Sequence, residues 1–213
     1  MSARIAEKTR KTTETEISIK LNIDGTGESK INSSIGFLDH MLELFAFWGH
    51  FDLEIATNSA DLKVDIHHAN EDLGIVLGQV FKEALGDKMG IKRIGSATVP
   101  MESVVASVIV DISGRDHCLI DVDKTIFDSK RRIQVLLDAK NKKDEYSLEY
   151  ATHFLEALSK QLGMNLNIKI ENPSMDLHTT LEPVFKALGK ALDEATQIDP
   201  RRKGIPSTKG VID

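Results

Sequence analysis

The chain has 213 residues, 41% hydrophobic and 28% charged, which suits one large domain or two units of about 100 residues and excludes a disordered chain. A net charge of −6 gives nucleic-acid binding no support, so any phosphate contact must be local. The single cysteine, Cys118, excludes a disulfide framework or cysteine-rich zinc ribbon, and no apolar run approaches the ~18 residues that span a bilayer.

The polar start of the chain, Met-Ser-Ala-Arg-Ile-Ala-Glu-Lys, has no export-type apolar stretch, so a cytoplasmic protein is expected and the sequon Asn32-Ser33-Ser34 reads as chance. Ile17, Ile19 and Leu21 alternate with Ser18, Lys20 and Asn22, predicting a half-buried strand over 12–22, turned by Asp24-Gly25-Thr26-Gly27. A broad apolar face predicts a helix over 36–48. Period-two patterns predict strands over 51–55 and 62–66, and helical spacing runs over 67–85 up to Gly86. A turn is expected over 98–100 and a buried strand over 104–112. The charged stretch 123–143 reads as strand ends and a mobile loop. Helices are predicted over 148–162, stopped by Gly163, and over 181–196, with a strand over 166–170 between them. The tail over 199–210 reads as a basic loop.

A repeat emerges from the histidines. His40 precedes His67-x-x-x-Glu71 by 27 residues, and His153 precedes His178-x-x-x-Glu182 by 25. The expected fold is therefore α/β, with two similar units over 1–96 and 97–213 packed as a pseudo-twofold pair into one compact domain. Positions i and i+4 share one helical face, so His67 with Glu71, and His178 with Glu182, can each grip one divalent cation. His68 points about 100° away and would serve a different ion, or the same ion in another subunit. An isolated helical histidine is more often a core or surface residue than a ligand. Five of the seven histidines in matching places, with two glutamates in register, favour metal. His50 and His117 have no repeat partner and read as ordinary. Imidazole suits zinc, manganese or iron, and added carboxylate favours manganese.

Phe37-Leu38-Asp39-His40-Met41-Leu42, Phe51-Asp52-Leu53 and Val64-Asp65-Ile66-His67-His68-Ala69-Asn70-Glu71-Asp72-Leu73-Gly74-Ile75 resemble the imidazoleglycerol-phosphate dehydratase family of histidine biosynthesis. So do Arg10-Lys11-Thr12-Thr13-Glu14-Thr15, Arg93-Ile94-Gly95-Ser96-Ala97-Thr98-Val99-Pro100-Met101, Asp111-Ile112-Ser113-Gly114-Arg115 and Pro206-Ser207-Thr208-Lys209-Gly210. The motifs keep their order over nearly the whole chain. The resemblance implies two tandem copies of a unit like domain 2 of ribosomal protein S5. It also implies trimers assembled into a 24-subunit shell, and an active site between subunits holding two manganese ions, with zinc or iron as alternatives. The implied ligands are His40, His67, His68, Glu71, His153, His178 and Glu182. Glu14 matches a proposed acid/base, and Glu71 and Glu182 are implied at the catalytic centre. Arg93, Arg115, Lys186, Ser207 and Lys209 match the groups that hold the substrate phosphate.

The implied reaction dehydrates imidazoleglycerol phosphate to imidazole-acetol phosphate, with metal on the ring nitrogens favouring the imidazolate. Four positions depart from the family pattern. Thr179 stands where the second motif usually has its second histidine, Trp48 replaces a histidine, Phe45 a glutamine and Asn167 a histidine. They raise the alternative of a divergent, weakly active or inactive member with an incomplete second metal site.

Overall fold

The computed structural model describes residues 3–62, 65–123 and 146–212. The first half runs β1 (Ile5–Lys11), β2 (Thr15–Asn22), β3 (Ser29–Asn32), α1 (Gly36–Gly49), β4 (Asp52–Ala60) and α2 (His67–Leu85). The second repeats that order: β5 (Ile94–Met101), β6 (Val104–Asp111), β7 (His117–Val122), α3 (Leu148–Leu162), β8 (Asn165–Glu171) and α4 (Leu177–Thr196). The two sheets have matching strand orders, β1-β2-β4-β3 and β5-β6-β8-β7. In each, the third strand pairs in parallel with the fourth and the other pairings are antiparallel. The expected α/β fold with a repeated unit is what the chain adopts.

Period two explains the inner strands. Ile17, Ile19 and Leu21 of β2, and Val104, Ala106, Val108 and Val110 of β6, are fully buried, while the alternate residues face outward. Helices cover the inner faces. α2 packs on α3 and α1 on α4, so each helix pair takes one member from each half. Both seams close on glycine. An added Cβ at Gly74 would lie 2.5 Å from the Phe154 carbonyl oxygen, and one at Gly189 would lie 2.4 Å from that of Phe45. Ser147 and Asp176 cap α3 and α4 by accepting the backbone N–H groups of Tyr150 and Thr179. Pro183 forfeits one helical hydrogen bond in the second turn of α4.

Several sequence expectations need correction. Residues 98–100 form no turn but lie inside β5. The strand expected over 62–66 is absent at Leu62, Asp65 and Ile66, with 63–64 outside the described residues. Helix α4 starts at Leu177, four residues before the predicted 181, because Asp176 supplies the cap. The expectation for 123–143 falls outside the described residues except at Asp123.

Candidate functional site

The helix seams bring the histidines together crosswise. His40 on α1 meets His178 and Glu182 on α4, while His153 on α3 meets His67 on α2. In the first set, His40 Nε2 and His178 Nε2 are 3.1 Å apart. Glu182 Oε2 lies 2.9 Å from His178 Nε2 and 3.5 Å from His40 Nε2. Donors bound side by side at ~2.1 Å on one ion stand about 3.0–3.4 Å apart in octahedral or tetrahedral shells, so these three atoms are spaced to share one ion. All three lie within 4.8 Å of one another, and nitrogen and carboxylate donors together suit a divalent cation.

The second set is looser. His67 Nδ1 is 3.2 Å from His153 Nδ1, but His67 turns its other nitrogen, Nε2, towards Glu71 Oε2 at 3.8 Å. The three side chains are neighbours without aiming three donors at one point. A cavity of about 510 Å³ opens beside them, lined also by Asp116, His117, Cys118 and Glu156. His117, which reads as ordinary in the sequence, thus belongs to this cavity; with no counterpart in the repeat, only the pairing of β7 with β8 could reveal it. Burial, with help from Glu156, pushes the Cys118 thiol up to about 12, so it stays protonated and is no nucleophile.

Glu182 is held differently from Glu71. Its side chain is only 12% exposed, against 49% for Glu71, and Lys186 Nζ reaches its Oε1 at 2.5 Å. Burial is the largest influence and works the other way. The hydrogen bond and charge of Lys186, with His40 and His178, still keep the Glu182 carboxyl below its ordinary value.

The two sets are linked. The Phe37 ring meets His178 edge-on at 6.5 Å and stacks on Tyr146 at 5.0 Å. The buried Tyr146 hydroxyl donates to Asn70 Oδ1 at 2.7 Å, three residues beyond His67. Tyr150 donates to Asp65 Oδ1, two residues before His67; burial and then this bond push its hydroxyl up to about 12. Phe37 and Tyr150 escape a sequence reading because an aromatic on an apolar helix face reads as core, and Tyr146 because it lies just before α3.

His68 joins neither set within the chain. Its Nδ1 faces Glu14 Oε2 at 3.4 Å. Thr179 also stays out: its hydroxyl donates to Asp176 Oδ2 at 2.7 Å and its backbone N–H donates to the same oxygen. The set of His40, His178 and Glu182 gathers without it. Trp48 lies two turns along α1 from His40, under the Lys190 ammonium 5.7 Å from its ring. Phe45 is core against Phe51 and Phe81. Asn167 lies on the outer sheet face, paired between Ile109 and Leu119.

The expected phosphate groups form separate groupings. Arg93 donates two N–H groups to Asp111 at 2.6 and 3.0 Å and a third to the Pro206 carbonyl at 3.0 Å, pinning the tail. Beside it Ser207 Oγ accepts the Lys209 backbone N–H. Arg115 is exposed, its backbone held by Ser113 and Asn165. Lys186 sits with Glu182. The Arg93 backbone bonds to Ala195, and at ~1.5 Å rise per residue that point is about 20 Å along α4 from Glu182.

The Thr179 contacts set one pH effect. Its hydroxyl and then its backbone N–H hold the Asp176 carboxyl below its ordinary 3.8. A depressed carboxyl adds stability above its unfolded value and loses it as pH falls through the folded one. Thr179→Val is therefore expected to cost no more than about 1 kcal/mol at neutral pH, since Asp176 is exposed. The difference should vanish once Asp176 is protonated well below 3.8, as thermal melts of both proteins across the acid range will show.

A family model described as imidazoleglycerol-phosphate dehydratase matches residues 33–192. A relative of that description from Pelobacter propionicus is 45% identical over 209 residues, 98% of this chain and 99% of the relative. One from Bacillus subtilis is 46% identical over 209 residues, 98% of this chain and all of the relative. The crystal structure of imidazoleglycerol-phosphate dehydratase from Staphylococcus aureus is similar with a TM-score of 0.73 at 30% identity, covering 92% of this chain and 99% of its own. That of IGPD from Pyrococcus furiosus gives 0.72 at 30% identity, covering 96% and 99%.

Proposed function

The chain belongs to the imidazoleglycerol-phosphate dehydratase family, and from that premise we propose how its own residues carry out the dehydration of imidazoleglycerol phosphate to imidazole-acetol phosphate in histidine biosynthesis. The observation that carries the reading is the convergence of His40, His178 and Glu182 on one point.

The removed proton sits on a carbon with no carbonyl beside it, so the imidazole ring must accept the electrons. Manganese ions, two per site and held by the His40/His178/Glu182 and His67/Glu71/His153 sets, would supply the positive charge that makes the ring such a sink. Manganese is favoured over zinc because the first set adds a carboxylate to its imidazoles. Glu71 and Glu182 would serve the catalytic centre as ligands. His68 is offered outward and would complete a set on a neighbouring copy.

Glu14 is the proton carrier in this reading. It is exposed, belongs to neither histidine set and faces the His68 imidazole at 3.4 Å, which leaves its carboxylate open to a substrate and would let it carry the proton. Arg93, Arg115, Lys186, Ser207 and Lys209 would hold the phosphate, the cations by charge and paired N–H groups. Arg93 also orders the tail through Pro206.

The 20 Å between the Arg93 corner and Glu182 supports a site shared by neighbouring copies. The outer faces of the sheets support homo-oligomerisation too. The row Glu7, Lys20, Glu54 and Lys30 on the first is charged, whereas Ile109 and Leu119 on the second are half exposed. We extend this to the 24-subunit shell of trimers, with the two repeated units acting as one domain. Among the described residues no helix is long and apolar enough to cross a membrane. A phosphorylated biosynthetic intermediate supports a cytoplasmic enzyme.

Chelator-treated protein is expected to lose turnover of imidazoleglycerol phosphate, and manganese to restore it with about two ions bound per chain. Full turnover after the metal has been stripped and verified absent by elemental analysis would overturn the metal assignment. Sizing in solution tests the assembly separately.

A further inference from the structure

We propose that Asp72, gripping Arg10 and Thr15, positions Glu14 for proton transfer, an inference that rests on the reading of Glu14 as the proton carrier. Glu14 lies in the short turn between β1 and β2. Within that turn Thr12 Oγ1 accepts the backbone N–H groups of Glu14 at 3.1 Å and Thr15 at 2.9 Å. The strands on both sides of the turn are tied to one carboxylate on α2. Arg10 Nε donates to Asp72 Oδ1 at 2.8 Å, and the Thr15 hydroxyl donates to Asp72 Oδ2 at 2.5 Å. Thr15 is 1% exposed and Asp72 8%.

Asp72 lies four residues after His68, so both project from one face of α2. That face therefore carries the imidazole opposite Glu14 and the carboxylate that fixes the Glu14 turn. Burying a carboxylate costs more than burying an apolar side chain unless its partners are well placed, so the arrangement favours position over bulk stability. The repeat strengthens this. Five residues after His178, where the second half would carry its Asp72, stands Pro183, whose side chain has no acceptor. A device needed to hold each sheet on its helix would occur in both halves. This one occurs only where the turn bears Glu14.

The test uses the manganese-loaded protein. Thr15→Val keeps volume and removes the hydroxyl; Asp72→Asn keeps shape and weakens the grip on Arg10. Each is expected to lower kcat about 10- to 100-fold, as misplacing a reacting group does, with KM within about threefold and manganese content unchanged. Thr15→Ser should restore kcat. Glu14→Gln should lower kcat about 10²- to 10⁴-fold. Adding Thr15→Val or Asp72→Asn to it should produce no further loss.

Further loss on that background would overturn the positioning role, because the clamp would then act on something other than Glu14. Unchanged kcat in both clamp variants beside a damaged Glu14→Gln would overturn it alone. An undamaged Glu14→Gln would remove the premise, and with it the proposal. Should Thr15→Val fail to fold, Asp72→Asn and Thr15→Ser carry the same comparison.

Discussion

Glu182→Gln is expected to lower kcat/KM by more than about a hundredfold while leaving the secondary structure intact. Loss of a partner that merely orients a metal ligand costs 10- to 100-fold in affinity or activity, and Glu182 supplies a donor atom itself. The substitution keeps the side chain's size and removes its charge. His40 and His178 then share their meeting point with a neutral amide, and Lys186 loses the carboxylate at 2.5 Å that it now neutralises. Glutamine can still accept one hydrogen bond from Lys186, so the helix should hold. Bound manganese, counted by elemental analysis, should fall with activity, whereas circular dichroism should not change. A variant that keeps its metal and its turnover within threefold would remove Glu182 from the ligand set. Glu71→Gln makes a useful comparison, because Glu71 is half exposed and, among the described residues, has no lysine partner, and its loss should loosen a set that is already open.

The inner strands were readable in the sequence and the edges were not. Strands β2, β4, β6 and β8, the middle pair of each sheet, carry alternating buried residues and match predicted runs. The four edge strands escaped. β1 buries only Ala6, β3 spans four residues, and Pro100 in β5 gave a turn signal. An edge strand has one neighbour and much solvent, so little in its composition marks it. β5 tolerates its proline because an edge strand can leave a ladder position unpaired. Helix α2 was legible to the residue, since Gly86 ends its apolar period. At the site, the i and i+4 pairs were legible because they are local. That His40 would meet His178 rather than His67 was not, because it depends on how α1 packs against α4. The Thr179 departure likewise needed the structure. A hydroxyl one residue from a ligand suggests a weak donor, but Asp176 claims it for the helix cap.

That packing leads to the second large effect. Gly189→Ala should unsettle the His40/His178/Glu182 set, and Gly74→Ala the His67/His153 set, each sparing the other. Alanine is the better helix former by about 1 kcal/mol, so an open site would gain stability. Neither site is open. The new methyl at 189 would sit 2.4 Å from the Phe45 carbonyl oxygen, and that at 74 would sit 2.5 Å from the Phe154 carbonyl oxygen. Both obstacles are backbone, which cannot rotate away, so the helices must separate. Overpacking of this kind costs typically 1–3 kcal/mol, and in a chain of this size each kcal/mol lowers the melting temperature by about 2–4 °C. The histidine sets feel the same shift. His40 lies five residues before Phe45 on α1, and a displacement of a few tenths of an ångström spoils a 3.1 Å approach. Gly36→Ala supplies the control, since nothing among the described residues lies within 4 Å of a Cβ there. Manganese titrations of the three proteins should show one weakened site in each seam variant and none in the control. Loss of both sites together in either variant would mean that the two seams move as one body.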